Sequence, residues 1–162
     1  MLEKELNHDL VALFKSAGWA YKIPDPSQES AISSSKRPFD GIAYFKDLGS
    51  FYFESKLDKH KLQAFSLSRV EDHQYENLLQ LREMGAMTAV ILGFWIPRKD
   101  YYFFVFDPLF LSKLKETRKS ILGKELQWYK DNDYIIPARW KQPFTPSLLL
   151  EKRIDFLPEE KV

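Results

Sequence analysis

Cysteine is absent from the sequence, and its absence excludes several kinds of site. Without thiols there is no disulfide framework, no thiolate zinc site and no cysteine nucleophile. Three histidines are present, His8, His60 and His73, and their spacing matches no metal-binding motif. We therefore expect a protein of a reducing environment, most simply the cytoplasm.

Long hydrophobic runs are also missing. The longest, MTAVILGFWIP at residues 87–97, is shorter than the roughly 20 apolar residues that a membrane-spanning helix needs. Its β-branched and aromatic residues indicate a buried strand instead. The N-terminal MLEKELNHDL has no basic stretch followed by an apolar one, so the sequence predicts neither a signal peptide nor a membrane role.

The chain has little net charge, +1 over 162 residues, but its positive residues are unevenly placed. They gather at residues 56–61 and 112–124. A nearly neutral protein can thus present a basic face beside an acidic site. The length and the 44% hydrophobic content predict one domain over residues 1–162, with a core that needs no disulfide or structural metal.

Hydrophobic periodicity predicts an α/β protein. An amphipathic helix covers residues 2–17, and a second helix begins at a capping box of Ser68 and Glu71 and ends at Gly85. A third helix begins at Pro108. This order favours a central mixed β-sheet flanked by helices. The predicted strands lie at residues 19–23, 39–45, 50–56, 86–95 and 100–107.

The run FYFESK places two charges in a predicted strand. Side chains alternate between the two faces of a strand, so Glu54 and Lys56 lie on one face. Three more polar side chains are expected to face the sheet: Glu3 from the apolar arc of the first helix, Asp40 from a strand start and Gln74 from the second helix. Carboxylates buried together need a cation, and oxygen ligands of this kind suit Mg²⁺ or Mn²⁺.

The spacing of these residues matches a nuclease pattern, PD-(D/E)xK. Residues 38–40 (PFD) open one hairpin strand, and residues 54–56 (ESK) lie on the next. In such a set the metal activates water and offsets charge on a phosphodiester, while the lysine positions the water or helps to deprotonate it. The pattern predicts Mg²⁺-dependent phosphodiester hydrolysis, with Mn²⁺ as the alternative metal.

A succession of further motifs resembles the RecU-type Holliday junction resolvases. That family has a similar aromatic-plus-leucine turn, a helix with a His-Gln pair, a glycine before the next strand, an Arg-Lys-Ser-Ile segment and an opening helix with a glutamate. The resemblance extends over most of the chain and is most specific in its middle third. The corresponding stretches here are 64–67 (AFSL), 71–74 (EDHQ), 84–87 (MGAM), 118–121 (RKSI) and 2–7 (LEKELN).

The resemblance implies a restriction-endonuclease-like core and a homodimeric endonuclease that makes paired nicks in branched DNA during recombination or repair. By position it implies that Asp40 and Glu54 are metal ligands and that Glu3 is a further acid of the site. It also implies that Lys56 is the catalytic lysine and that Gln74 supports the catalytic site.

One departure from the RecU pattern concerns the DNA. RecU proteins carry a long stalk between the first strand and the aspartate strand, and it engages the centre of the junction. Here that interval, about residues 24–37, is short, which leaves open whether a junction, a flap or a duplex is preferred. Residues from about 122 to 162 are expected to form a C-terminal extension. The residues expected to contact DNA are Lys36, Arg37, Lys59, Lys61, Arg118 and Lys119.

Other interpretations of the same residues stay open. Asp40 can be a turn residue, and Glu54 with Lys56 can be a solvated pair. Gln74 can be a buried amide with its own partners. At the level of function, a nuclease of the same fold from a phage or mobile element, cutting duplex or flapped DNA, fits the short interval. Two further alternatives keep the fold without the catalytic activity. One is a non-catalytic DNA-binding recombination accessory protein, and the other is a structural protein that binds no nucleic acid.

Overall fold

The computed structural model describes residues 3–24, 38–58, 64–94, 102–125, 128, 131 and 135–139. The helices are α1 (Glu3–Lys15), α2 (Asp72–Glu83) and α3 (Pro108–Thr117). The strands are β1 (Trp19–Lys22), β2 (Gly41–Phe45), β3 (Gly49–Asp58), β4 (Ala64–Ser66), β5 (Met87–Phe94), β6 (Tyr102–Phe106), β7 (Ser120–Leu122) and β8 (Ile135–Arg139).

Six strands form one mixed sheet in the order β1-β2-β3-β5-β6-β8. β3 and β5 are parallel, as the helical connection through α2 allows, and the other neighbouring pairs are antiparallel. β4 and β7 pair separately as a two-stranded sheet. The predicted α/β class, with a central mixed sheet flanked by helices, is confirmed.

α1 covers one face of the sheet with an apolar surface. Phe14 meets three rings of β2 and β3 edge to face, with centroids 5.9, 5.5 and 5.2 Å away. Because successive side chains of β3 point to opposite faces of the sheet, Ser55 lies on this α1 face, whereas Glu54 and Lys56 lie on the opposite face. The three rings are those of Phe45, Phe51 and Phe53.

The opposite face of the sheet is covered by α2 and α3 over its centre. Leu78 of α2 and Leu111 of α3 pack there with Val90 of β5 in a second apolar core. α2 therefore stands beside the row of β3 side chains that includes Glu54, and this packing brings Gln74 to the site.

α2 begins later than the sequence predicts, and the expected capping box of Ser68 and Glu71 is wrong. Leu67–Arg69 form a 3₁₀ turn, and Glu71 is the N-cap of α2. Val70, fully buried and extended, separates the two elements, because burying its side chain outweighs continuing the helix. Gln74 serves as the capping partner, since its Oε1 accepts a hydrogen bond from the N–H of Glu71 at 2.9 Å.

Three strands, β4, β7 and β8, have no counterpart in the sequence prediction. β4 and β7 contain three residues each, too few to show an alternating pattern. β8 contains Pro137, which lacks an N–H for pairing. The proline is tolerated because β8 lies at the sheet edge, with β6 as its one neighbour in the described sheet.

Two predicted segments lie mostly outside the described residues: the short interval at about 24–37 and the extension at about 122–162. Their structure, and with it the one-domain assignment, stays a prediction. None of the helices in the described part of the chain has the length and apolarity needed to traverse a bilayer.

Removing the ring of Phe14 should destabilise the fold strongly. Phe14 is 1% exposed and contacts three rings of the sheet, so Phe14→Ala leaves a large cavity between α1 and the sheet. We expect a loss of about 3–5 kcal/mol in the free energy of unfolding, measured by urea denaturation. Tyr44→Ala, which removes a ring that is 53% exposed, is the control and should cost much less. Equal losses would contradict this account of the core.

Candidate active site on strands β2 and β3

Asp40 stands just before β2, and its backbone is fixed between two strands. Its N–H donates to the carbonyl of Phe53 in β3, and its own carbonyl accepts from the N–H of Ile23, which follows β1; both distances are 2.9 Å. Asp40 is 5% exposed. Because Gly41 pairs with Phe53 in the β2–β3 ladder, Asp40 lies beside the carboxylate-bearing part of β3.

Glu54 is the centre of the site. It is 2% exposed, and two groups lie at its Oε1, one amide and one ammonium group. Gln74 Nε2 of α2 donates to it at 2.7 Å, and Lys56 Nζ lies 3.3 Å away. The structure thus brings together four of the predicted site residues: Asp40, Glu54, Lys56 and Gln74.

Gln74 performs two tasks with one side-chain amide. Its oxygen caps α2 at Glu71, and its nitrogen donates to Glu54. The amide therefore cannot turn without losing both bonds, so the start of α2 fixes the direction of the donor that Glu54 receives. Nδ1 of His73, the neighbour of Gln74 in the chain, lies 3.1 Å from Glu71 Oε2, and the His73 side chain is 30% exposed.

Two residues of the site, Asn7 and Ser55, were not predicted from the sequence. Asp40 Oδ2 accepts from the N–H of Ser55 at 2.8 Å and lies 3.2 Å from its Oγ. The same hydroxyl bonds to the side chain of Asn7 in α1. A signal for Asn7 was present, because at 100° per residue it falls between Phe14 and Val11, two buried residues of α1. Ser55 gave none, since a serine between Glu54 and Lys56 looks like any other strand residue.

Glu54 has a strongly perturbed pKa. Burial first, and then the neighbouring Asp40 carboxylate, raise the pKa of Glu54 to about 8, against the opposing charge of Lys56. Glu54 and Asp40 also share a hydrogen bond, which favours the protonated form of Glu54. Without a metal, the two carboxyl groups therefore hold a proton between them at neutral pH.

A divalent cation suits this pair of carboxyl groups. The cation would take the place of the shared proton and relieve the repulsion that raises the pKa of Glu54. Within the described residues, no group of three or more acidic, histidine or cysteine side chains is assembled. Two carboxylates are enough for Mg²⁺, which commonly binds through one or two of them together with water and substrate phosphate. Asp40 and Glu54 would be its protein ligands.

The remaining predicted residues are only partly described. Glu3 lies in α1, one turn before Asn7, but its side chain is outside the described residues. Arg118 donates to both carboxylate oxygens of Glu125, at 2.6 and 2.8 Å, so a phosphate would compete with that pair. Lys119 is exposed. The residues expected to contact DNA that lie outside the described part are Lys36, Arg37, Lys59 and Lys61.

Comparison with known proteins finds similarity among solved structures. No protein-family model matches the chain, and no curated protein matches it. The 1.6 Å structure of Hjc, a Holliday junction resolvase from the archaeal hyperthermophile Archaeoglobus fulgidus, aligns with a TM-score of 0.45 and 22% identity, over 74% of this chain and 86% of Hjc. At this identity and TM-score the likeness leaves the reaction and the substrate of the present chain open.

The raised pKa of Glu54 predicts how stability depends on pH in a chelator. The folded state keeps the proton up to about pH 8, whereas the unfolded chain releases it near the ordinary glutamate pKa of 4.5. The stabilising effect of that proton is complete below the unfolded pKa and is lost as pH rises towards 8. The unfolding free energy should therefore fall with pH between these values, by up to about 1.4 kcal/mol per pH unit from this group.

Glu54→Gln removes the titration and provides the comparison. Urea denaturation in EDTA at several pH values from 4.5 to 8.5 should show wild type losing stability relative to Glu54→Gln. A stability difference that does not change with pH would mean that Glu54 is ionised in the folded protein. Addition of Mg²⁺ at high pH should restore stability to wild type and leave Glu54→Gln nearly unaffected.

Proposed function

We propose that this chain is a Mg²⁺-dependent DNA endonuclease that hydrolyses phosphodiester bonds in branched DNA. The observation that carries the proposal is the contact between two buried carboxyl groups, Asp40 and Glu54, with Lys56 beside them on the same strand as Glu54. Burying such a pair costs free energy unless a cation compensates it. A scaffold protein needs no such pair, which is why the accessory-protein alternative is less favoured.

Each residue has a role that follows from its contacts. A bound Mg²⁺, or Mn²⁺, would supply Lewis acidity to a water molecule and to a phosphodiester oxygen. Lys56 Nζ, 3.3 Å from Glu54, can orient the attacking water and exchange a proton with it. Gln74 fixes Glu54 by its 2.7 Å hydrogen bond, and Asp40 is fixed by the backbone of β3. Glu3 is proposed as a further acid of the site.

The substrate preference is proposed from the family resemblance. A four-way junction has two-fold symmetry, and a homodimer with two sites would nick it in pairs. The short interval at about residues 24–37 favours the alternative, a nuclease of a phage or mobile element that cuts flaps or duplex DNA. The side chains expected to bind phosphates are the six lysines and arginines that the sequence predicts to contact DNA. Of the two that the structure describes, Arg118 and Lys119, Lys119 is exposed. Both proposals place the protein in the cytoplasm.

Lys56→Ala should abolish cleavage without abolishing DNA binding. Because Lys56 acts on the water and not on DNA affinity, we expect nicking of a labelled four-way junction in Mg²⁺ to fall by at least about 100-fold. The DNA dissociation constant, measured in Ca²⁺, should change little. Lys46→Ala, in the exposed turn at the other end of β2, is the matched control and should cut like wild type.

The same assay separates the candidate functions. Paired nicks in the junction that require Mg²⁺ and disappear in EDTA support the resolvase proposal. Equal rates on junction, flap and linear duplex would defeat it in favour of a nuclease of broader range. DNA binding without cleavage by wild type, in both Mg²⁺ and Mn²⁺, would assign the fold to an accessory role.

An exposed aromatic patch lies on the same face of the sheet as Glu54, towards the edge formed by β1. Trp19 pairs with Tyr44 and Tyr44 with Ser50, which is on the same face of β3 as Glu54. Trp19 and Tyr44 are 55% and 53% exposed. Standard strand spacings put Trp19 about 16 Å from Glu54, the length of about five base pairs. DNA that runs from the carboxylates towards this edge of the sheet would therefore reach Trp19.

Trp19 fluorescence should consequently report DNA binding. Base–aromatic stacking quenches indole emission, so branched DNA with unpaired bases should reduce the emission of wild type in Ca²⁺. Trp19→Phe keeps an aromatic ring but removes this fluorophore, one of four tryptophans in the chain. An emission change of the same size in Trp19→Phe would show that DNA does not cross this patch.

A further inference from the structure

Asp40 connects groups from both faces of the sheet. On the α1 face, its Oδ2 accepts from the N–H of Ser55 and lies 3.2 Å from Ser55 Oγ. On the α2 face, its carboxyl group shares a hydrogen bond with Glu54. Beyond Ser55, the side chain of Asn7 bonds to the same hydroxyl. Asn7, Asp40 and Ser55 are 4%, 5% and 1% exposed, so bulk water has little access to these bonds.

The number of available hydrogens decides which group can donate in each of these hydrogen bonds. The Ser55 hydroxyl has one hydrogen, and the two atoms beside it are both oxygens, Asn7 Oδ1 and Asp40 Oδ2. An ionised carboxylate can only accept a hydrogen bond. An asparagine amide can exchange its oxygen and nitrogen by a half turn, because the two groups are of nearly equal size. As the side chains stand, the Ser55 hydroxyl donates to Asn7 Oδ1; after this half turn Asn7 Nδ2 donates to Ser55, and the hydroxyl can donate its one hydrogen to Asp40.

We propose that Asn7 is a positioning residue that acts through Ser55 to hold the Asp40 carboxylate in its metal-binding orientation. The proposal rests on the proposed function. With Oδ2 held by the N–H and the hydroxyl of Ser55, rotation of the carboxylate would break both bonds at once. Asn7 contributes orientation without adding a negative charge, so the described site keeps two carboxylates. This chain of bonds from Asn7 through Ser55 to Asp40, here called the relay, also makes the site depend on the docking of α1 against the sheet.

Metal binding tests the relay directly. Mn²⁺ titration calorimetry on wild type, Ser55→Ala, Asn7→Ala and the double variant measures the dissociation constant without any catalytic readout. Groups that orient metal ligands are worth about 10- to 100-fold in affinity, so we expect Ser55→Ala to raise the constant about tenfold or more. Asn7→Ala should raise it by a smaller factor. Because Asn7 acts through Ser55, the double variant should match Ser55→Ala within about twofold.

Controls separate positioning from a general loss of structure. Ser16→Ala removes another α1-region hydroxyl, one that bonds to the Leu13 carbonyl, and should bind Mn²⁺ like wild type. Thermal unfolding in EDTA confirms that each variant is folded. If Ser55→Ala does not fold, Asn7→Ala, which leaves Ser55 in place, must still raise the Mn²⁺ constant several-fold. Nicking at saturating Mn²⁺ should recover towards the wild-type rate in both variants.

The outcomes distinguish the relay from the function on which it rests. If wild type binds Mn²⁺ and Asp40→Ala does not, but folded Ser55→Ala binds normally, the relay is overturned and the metal site stands. Additive losses in the double variant would overturn the role of Asn7 acting through Ser55. If wild type itself binds no Mn²⁺, or Asp40→Ala binds as well as wild type, the proposed function fails and the relay fails with it.

Discussion

The close placement of two buried carboxyl groups is the constraint on which the site depends. Asp40, just before β2, and Glu54, in the neighbouring β3, are both nearly inaccessible to water, and burial together with their mutual repulsion raises the pKa of Glu54 to about 8. Such a pair is stable only if a proton or a cation lies between its members. Every other polar contact at the site can be understood as support for this pair.

The fold supports the pair from both sides of the sheet. β3 alternates, so one strand supplies Glu54 and Lys56 to the α2 face and Ser55 to the α1 face. α2 contributes Gln74, whose amide is fixed by capping its own helix, and α1 contributes Asn7. Two apolar cores, one on each face, hold these helices against the sheet. The precision of the site is thus a consequence of helix docking on a parallel strand pair at the centre of the sheet.

Much of this arrangement could be predicted because strong local patterns encode it. The alternation of FYFESK places Glu54 and Lys56 on one face, and the spacing to Asp40 identifies the neighbouring strand. The long helices and the longer strands carry clear periodicity. The start of α2 was mispredicted because burial of Val70 prevails over the capping preference of Ser68, and this is a tertiary effect that no local pattern shows.

The unpredicted parts are those whose reasons are not local. β4 and β7 are too short to carry a pattern and exist because they pair with each other. Pro137 disfavours a strand except at a sheet edge, and edge position is a property of the whole fold. Ser55 belongs to the site because it meets Asp40 in space, 15 positions away along the sequence, and Asn7 belongs to it because its side chain meets Ser55, 48 positions away. The metal, the DNA substrate and the role of Glu3 remain proposals.

Anomalous diffraction from crystals grown with Mn²⁺ tests the central claim most directly. The account predicts an anomalous peak between the carboxyl groups of Asp40 and Glu54, absent in crystals of Glu54→Gln and of wild type grown with EDTA. A map without a peak there, with Glu54 still hydrogen-bonded to Asp40 as in the metal-free protein, would contradict it. In that event the buried pair would be a structural feature stabilised by a proton, and the chain would not be a metal-dependent nuclease.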